Sequence, residues 1–436
     1  NIEKESFVSA AIKKALEYKH QTRKLPLKQR LWGMPVARRI ALLKAKHDTK
    51  KAVRNYYPAQ HKAIKAIQLG MDLPAINGCF EAEMPIVLEL IKSPLSKKLL
   101  NIFFWSEAAK KANRDVFSKS AKVGVIGSGL MGSQIAANLS ESGIETVLKD
   151  IDPKFVSAGL DRMVQVWKRD LDKRVIKRVE FEKRLLRIYP TTSWEQLKKL
   201  EFAIEAIKEI LPLKQKLAEE FEAVAPQTAI FATNTSSYTV AEIAQTARHK
   251  ERFIAMHFFN PVRSMKLIEI GVADFTSQEA KEKAIGLTLA LGKIPIVVKD
   301  SPGFLVNRIV SRYMTEAVIL ITEGAPIESI DEAAEDFGMA IDSGQVMGPL
   351  KLIDYIGTET AVHAVHSLAK LGPRISVPIL FQIANFKQNF WKDGKLNPEL
   401  NEAIKVLSTP KKRPNRIEIQ DRLILPMIDE SFRCLE

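Results

Sequence analysis

The chain has 436 residues, 46% of them hydrophobic and 27% charged, with a formal charge of +15 and two cysteines. That length predicts two to four domains, and the composition excludes a disordered or collagen-like chain. No apolar run approaches the roughly 20 residues that span a bilayer, and two cysteines as far apart as Cys79 and Cys434 point to a reducing compartment with no disulfide framework.

From the N-terminus, Ser6–Tyr18, Pro35–Ala45, Gln60–Gln68 and Ala82–Ile91 place apolar residues at helical spacing. Pro26, Pro58, Pro74 and Gly78 punctuate them. The first 60 residues hold 15 Lys/Arg against the four acids Glu3, Glu5, Glu17 and Asp48. This excess reads first as a solvated helical surface. The alternative is a phosphate-rich partner, such as a CoA moiety or an anionic membrane surface bound peripherally. No nucleic-acid motif accompanies the charge, so no nucleic-acid partner is expected. The chain opens on Asn1 rather than Met and reads as a fragment.

Residues 119–303 alternate strands with helices, the pattern of a parallel sheet. The predicted strands are Lys122–Ile126, Thr146–Leu148, Phe202–Ala206, Ala229–Ala232, Phe253–Met256 and Pro295–Val298. Ser301-Pro302-Gly303 breaks the pattern. From Phe304 the chain reads helical to its end, with a Pro/Lys-rich linker at Thr409–Pro414 and a last helix over Glu418–Glu436. The expected fold class is therefore an α/β Rossmann domain (119–303) followed by all-α C-terminal domains (304–408 and 409–436). An all-α region (1–118) precedes it.

Val123–Gly132, VGVIGSGLMG, carries the sharpest motif. An apolar strand runs into Gly127, Gly129 and Gly132 and then into a helix, the context the dinucleotide fingerprint requires. Gly127 permits the tight turn, Gly129 lets backbone approach a pyrophosphate, and Gly132 lets helix and sheet pack closely. Leu130 and Met131 lie in the same turn and are expected at the cofactor. Asp150 ends the second strand, where a carboxylate accepts from an adenosine ribose and repels a 2′-phosphate, so NAD is the expected cofactor. No metal site is expected.

His257 follows a strand in AMHFFNPV, and Glu269 lies twelve residues on, in the apolar run Lys266–Ile270. If the chain folds back there, the carboxylate fixes one imidazole nitrogen and the other takes a proton from an alcohol. A satisfied core histidine and a surface glutamate are the bland alternatives. Asn234-Thr235-Ser236-Ser237 follows another strand and lines a ligand crevice or caps a helix. Asn307, just past the Pro302-Gly303 break, donates to a carbonyl oxygen or merely caps. Glu209 and Lys214 read equally as cofactor contacts and as an ion pair.

Taken in order, VGVIGSGLMG, NTSS, MHFFNPV, DSPGFLVNR and MGPLKLIDYIG resemble the L-3-hydroxyacyl-CoA dehydrogenase family over residues 119–370. The flanking PLSKKLLNIFFWSEAAKK and LILPMIDESFRCLE resemble segments of the bacterial multifunctional fatty-acid oxidation α-subunit. Residues 1–118 would then be the end of a hydratase half with its linker, and 409–436 the start of a second helical domain. The resemblance implies oxidation of (S)-3-hydroxyacyl-CoA in β-oxidation with His257 as general base and Glu269 as its orienting partner. Ser236 and Asn307 would bond the reacting oxygen or the His, and Asn260 would place the thioester. Asn234, Glu209 and Lys214 would lie at the NAD, and Lys173 would reach CoA. It implies an acyl-CoA substrate, a thiolase subunit as partner, and a bacterial cytoplasm or an organelle matrix. Another 3-hydroxy-acid dehydrogenase and a weakly active scaffold are the competing readings. Where the family carries a Gly-rich segment ending in an aromatic pair, this chain has only NFKQNFWKDG, Asn385–Gly394.

Overall fold

The structure, a computed structural model, describes residues 34–53, 57–71, 76–111, 117, 121–342, 345–383, 386–407, 409 and 413–435, with Ser9 and Ile12. It divides into two units, Asn1–Ser96 and Lys97–Glu436. In the first, helices α1 (Pro35–Val53), α2 (Pro58–Met71) and α3 (Ile76–Lys92) pack in chain order. Lys46 Nζ donates to Gln68 Oε1 at 2.8 Å, and Lys62 Nζ pairs with Glu89 Oε2 at 2.6 Å. The predicted helix Ser6–Tyr18 lies outside the described residues apart from Ser9 and Ile12, which are helical. α3 begins at Ile76 rather than Ala82, so Gly78 sits in its first turn. Packing between helices outweighs the local penalty of one glycine. Helix α4 (Pro94–Lys111) follows.

In the second unit, eight strands form one sheet: β1 (Val123–Ile126), β2 (Thr146–Lys149), β3 (Ile188–Thr191), β4 (Phe202–Glu205), β5 (Ile230–Thr233), β6 (Phe253–Phe258), β7 (Leu267–Val272) and β8 (Ile294–Lys299). Their order is β3-β2-β1-β4-β5-β6-β7-β8. Neighbours pair in parallel except β6 and β7. β3 was not foreseen, because Pro190 interrupts its short apolar run; it is an edge strand, the one place in a sheet where proline costs no ladder bond. Helices α5 (Leu130–Glu141), α6 (Pro153–Asp172), α7 (Arg178–Leu186), α8 (Leu211–Val224), α9 (Val240–Ile243) and α10 (Gln278–Ala290) cover the sheet. The central strands are buried along their whole length, as a sheet covered on both faces requires. Val125, Ile135, Trp167, Ile204 and Ile254 pack on one face, and Ile126, Phe221, Phe231 and Phe253 on the other.

Beyond the sheet come α11 (Val306–Thr322), α12 (Ile327–Phe337), α13 (Pro349–Ile356), α14 (Thr358–Leu368), α15 (Pro398–Leu407) and α16 (Arg416–Arg433). The expectation of helix to the end needs correcting at two short hairpins, β9 (Ala340–Asp342) with β10 (Gln345–Val346) and β11 (Trp391–Lys392) with β12 (Lys395–Leu396). The second turns on Asp393 and Gly394 at φ 51° and 75°. Two positive φ values in a two-residue loop are what Asp-Gly announces, so that hairpin was legible in the sequence. α16 docks on α11 and contributes Ile419 and Leu423 to the same core as Tyr313, Val318, Ile330 and Leu350. Among the described residues no helix is long and apolar enough to cross a membrane. No group of three or more His, Cys, Asp or Glu among them is placed to hold a metal ion.

One buried carboxylate organises this helical core. Asp331 on α12 accepts from the first amides of α13, Leu350 at 2.9 Å and Lys351 at 3.2 Å, and from Trp391 Nε1 at 2.8 Å. Gly348 leaves it room, since a Cβ there would stand 2.3 Å from Asp331 Oδ1. Burial pushes the carboxyl up to about 6, against the pull of those donors. The folded chain therefore holds a proton at Asp331 between about pH 4 and 6 that the unfolded chain releases. The stability this supplies is full below about pH 4 and is lost as pH rises through 6. Asp331→Asn does not titrate, so in urea unfolding it should gain on the wild type by roughly 3 kcal/mol between pH 4 and pH 7. A difference that stays constant across that range would contradict the assignment.

Candidate active site

The turn after β1 is shaped by steric necessity. Gly127 has φ +103°, and a Cβ there would sit 2.7 Å from the Ala206 carbonyl at the end of β4. A Cβ on Gly132 would fall 1.8 Å from the Gly127 carbonyl, so only glycine lets α5 start this close to the strand. Gly129 faces open space and caps α5 with no side-chain hydrogen bond. The first amides of α5 are thus left to an anion. Beside them Asp150 Oδ2 accepts from Ser128 N at 2.6 Å and Ser128 Oγ at 2.7 Å, and Oδ1 from Ile151 N at 2.7 Å. A cleft of about 710 Å³ opens here, lined by Gly127, Gly129, Leu130, Asp150 and Trp194. It lies between β1 and β4, where the strand order reverses, the place where such sheets bind nucleotides. Met131 packs partly into the core.

At the other end of the sheet, β6 and β7 pair antiparallel with His257 directly opposite Glu269. Nδ1 of His257 and Oε2 of Glu269 are 2.7 Å apart, and both residues are buried. The second carboxylate oxygen, Oε1, accepts from Leu305 N at 2.9 Å and Val306 N at 2.7 Å, the amides that open α11. These two amides fix the carboxylate in place at its Oε1 end. A carboxylate can only accept, so Nδ1 carries the hydrogen and Nε2 is the end left for chemistry. Phe259 and Phe304 flank the imidazole with ring centroids 4.6 and 6.0 Å away. Phe304 has φ 48°, and Gly271 makes room for its ring, which a Cβ would meet at 2.4 Å.

The loop after β5 is held from below. Glu209 Oε1 accepts from Ser236 N at 3.0 Å, Ser237 N at 3.1 Å and Thr235 Oγ1. Lys214, fully buried, reaches Glu205 at 2.7 Å and Glu209 at 3.1 Å. Burial works against the Lys214 charge, but the Glu205 and Glu209 carboxylates outweigh it and hold the ammonium pKa above its ordinary value. Burial likewise opposes the Glu209 charge, while Lys214 and Thr235 hold that carboxyl below the usual range. Glu209 and Lys214 are thus placed beneath Ser236, as a brace for its loop.

Asn234 Oδ1 accepts from Phe258 N at 2.9 Å and ties β5 to β6. Asn307 Nδ2 donates to the Ser236 carbonyl at 3.3 Å, joining the first turn of α11 to the same loop. Asn260 follows β6 and accepts from Gln134 on α5 at 3.0 Å. The structure therefore gathers His257, Glu269, Asn307 and the Asn234–Ser237 loop at one end of the sheet. Lys173 lies elsewhere, exposed at the C-terminal end of α6. Sequence reasoning passed over Glu205, which completes the buried network with Thr235, and His363, whose Nδ1 lies 3.2 Å from Ser237 Oγ. It also passed over Arg308, held by Glu430 at 2.9 and 2.6 Å. Only the acid in the apolar strand Phe202–Glu205 offered a signal, as a charge within a fully buried run.

Residues 122–301 match the family model for the 3-hydroxyacyl-CoA dehydrogenase NAD-binding domain, and residues 303–406 that for the C-terminal domain. The chain is 32% identical over 429 residues to the fatty acid oxidation complex subunit alpha of Vibrio cholerae, covering 94% of this chain and 60% of that protein. It is 31% identical over 433 residues to the Vibrio vulnificus protein of the same name, covering 96% and 60%. The chain thus spans about 60% of the length of these curated relatives. Among solved structures, (S)-3-hydroxybutyryl-CoA dehydrogenase from Ralstonia eutropha is 33% identical with a TM-score of 0.57, over 60% of this chain and 92% of that one. The 3-hydroxybutyryl-CoA dehydrogenase of Escherichia coli K12 is 32% identical with a TM-score of 0.56, over 60% of this chain and 56% of that one.

The buried ion network gives a stability test. Lys214→Met strands the buried Glu205 carboxylate and the half-buried Glu209, at a cost of roughly 3–5 kcal/mol in denaturant unfolding. Adding Glu205→Gln should return part of that loss. A Lys214→Met chain as stable as the wild type would mean that the network carries no net charge coupling.

Proposed function

We propose that this chain, which belongs to the 3-hydroxyacyl-CoA dehydrogenase family, oxidises (S)-3-hydroxyacyl-CoA to 3-oxoacyl-CoA with NAD⁺. The His257–Glu269 contact carries the proposal, because Oε2 engages Nδ1 and leaves Nε2 as the ring nitrogen that accepts a proton, while the amides on Oε1 hold the carboxylate in place. NAD, when bound, supplies the hydride acceptor. The residues present suit it: Gly127, Gly129 and Gly132 would admit the pyrophosphate to the N-terminus of α5, and Asp150, beside that turn, would accept from the adenosine ribose. In the direction of oxidation, His257 Nε2 takes the 3-hydroxyl proton as hydride leaves C3. Glu269 stabilises the imidazolium that forms. Ser236 and Asn307 hold the developing 3-oxo oxygen, and Asn260 bonds the thioester. Phe259 and Phe304 keep water from the imidazole.

The curated relatives carry the name of one subunit of a fatty acid oxidation complex. On that support we place this chain in an equivalent assembly in a bacterial cytoplasm, where a thiolase would consume the 3-oxoacyl-CoA.

Replacing His257 with Gln should lower turnover of acetoacetyl-CoA with NADH at least about a hundredfold, with NADH binding nearly unchanged. Glu269→Gln should also lower kcat, and the two losses should combine far below their product, because the pair acts as a unit. Near-wild-type turnover by His257→Gln would falsify the mechanism.

Cofactor choice is tested separately. kcat/KM should favour NADH over NADPH, and Asp150→Ala should narrow the ratio by removing the charge that repels a 2′-phosphate. Equal use of both cofactors by the wild type would end the assignment of Asp150.

A further inference from the structure

We propose that Gln134 is a positioning residue that decides which end of the Asn260 amide faces the substrate. Gln134 lies on α5, the helix that opens at the dinucleotide loop, and it reaches across to the segment after β6. Its Oε1 accepts from Val262 N at 2.9 Å, and its Nε2 donates to Asn260 Oδ1 at 3.0 Å. The two contacts fix each other by hydrogen-bond logic. A backbone N–H only donates, so the Gln134 atom opposite Val262 must be its oxygen. The other end of Gln134 is then an NH₂, which cannot accept, so the Asn260 atom opposite it must be Oδ1. Asn260 is half-buried, and its remaining end, Nδ2, has no protein acceptor among the described residues.

An isolated asparagine amide turns over at little cost and offers a donor or an acceptor in the same place. Here the Val262 amide, through Gln134, turns Asn260 so that a donor is presented. A donor suits a carbonyl oxygen, whereas an acceptor in its place would repel one. The group presented with this polarity is matched by the thioester carbonyl of the substrate. This step rests on the reading of the chain as a 3-hydroxyacyl-CoA dehydrogenase. Among the described residues Gln134 bonds only Asn260 and Val262, so it acts through Asn260.

The test compares two substrates with NAD⁺: 3-hydroxybutyryl-CoA, and the thioether analogue in which a methylene replaces the thioester carbonyl. In Gln134→Glu the carboxylate still accepts from Val262 N, but it offers only acceptors to Asn260, which then turns its Oδ1 toward the substrate. For the thioester, kcat/KM should fall at least about tenfold, chiefly through KM. For the thioether, wild type and variant should agree within about twofold, because that analogue has no carbonyl for Asn260 to meet, whereas an effect of the new charge on NAD or on folding would lower both substrates alike. Gln134→Met, which cuts the relay without adding charge, should show the same contrast at smaller amplitude. Equal losses with both substrates, or no loss with the thioester, would overturn the relay while leaving the dehydrogenase reading intact. A wild-type chain that oxidises neither substrate would overturn that reading, and the relay with it.

Discussion

The rest of the site depends on one shared carboxylate. Glu269 gives one oxygen to His257 Nδ1 and the other to the two amides that open α11. A buried carboxylate satisfied on one side only would be costly. The Rossmann sheet and the helical domain therefore have to meet at this point. The antiparallel pairing of β6 and β7 puts His257 and Glu269 opposite each other, which no parallel neighbour in the sheet achieves at a separation of twelve residues. Gly271 and the positive φ of Phe304 follow from the same demand, since the chain must turn sharply to bring the start of α11 over β7.

The helical domain is more than a lid for this contact. Arg308, next to Asn307 in the first turn of α11, is held at two nitrogens by Glu430 of α16, which is itself buried. Arg422 of the same helix bonds Glu316 at 2.6 Å and also bonds Glu323. α16 thus grips α11 by paired charges as well as by Ile419 and Leu423. Such charge-assisted, bidentate contacts fix orientation as well as adding energy. The helix whose amides hold Glu269 is braced along its length.

The NAD-binding side shows a similar economy of charge. Lys214 is fully enclosed, yet it lies between two carboxylates, and one of them carries three donors from the loop of Ser236. The ion network therefore does mechanical work, turning a buried charge into a fixed loop conformation. Gln134 does the same with neutral groups, because an amide has a donor end and an acceptor end and can transmit direction.

Much of this was legible in the chain itself. Glycine spacing after an apolar strand is local, and sterics at Gly127 and Gly132 leave no other residue possible, so the tight turn from β1 into α5 could be read directly. The alternation of strand and helix gave six of the eight strands; β7 was read only as an apolar run, β3 was hidden by the proline of an edge strand, and helical periodicity masked the β9–β10 hairpin while the Asp-Gly signal of the other went unread. His257 and Glu269 were visible as candidates because the motif that bears them is contiguous. Their contact was a matter of register, which depends on how two strands pair and not on either alone. His363, Glu430 and Gln134 were out of reach for a further reason. Each acts on a group distant in sequence, and a polar side chain carries no local sign of the partner that will satisfy it once folding has removed the water.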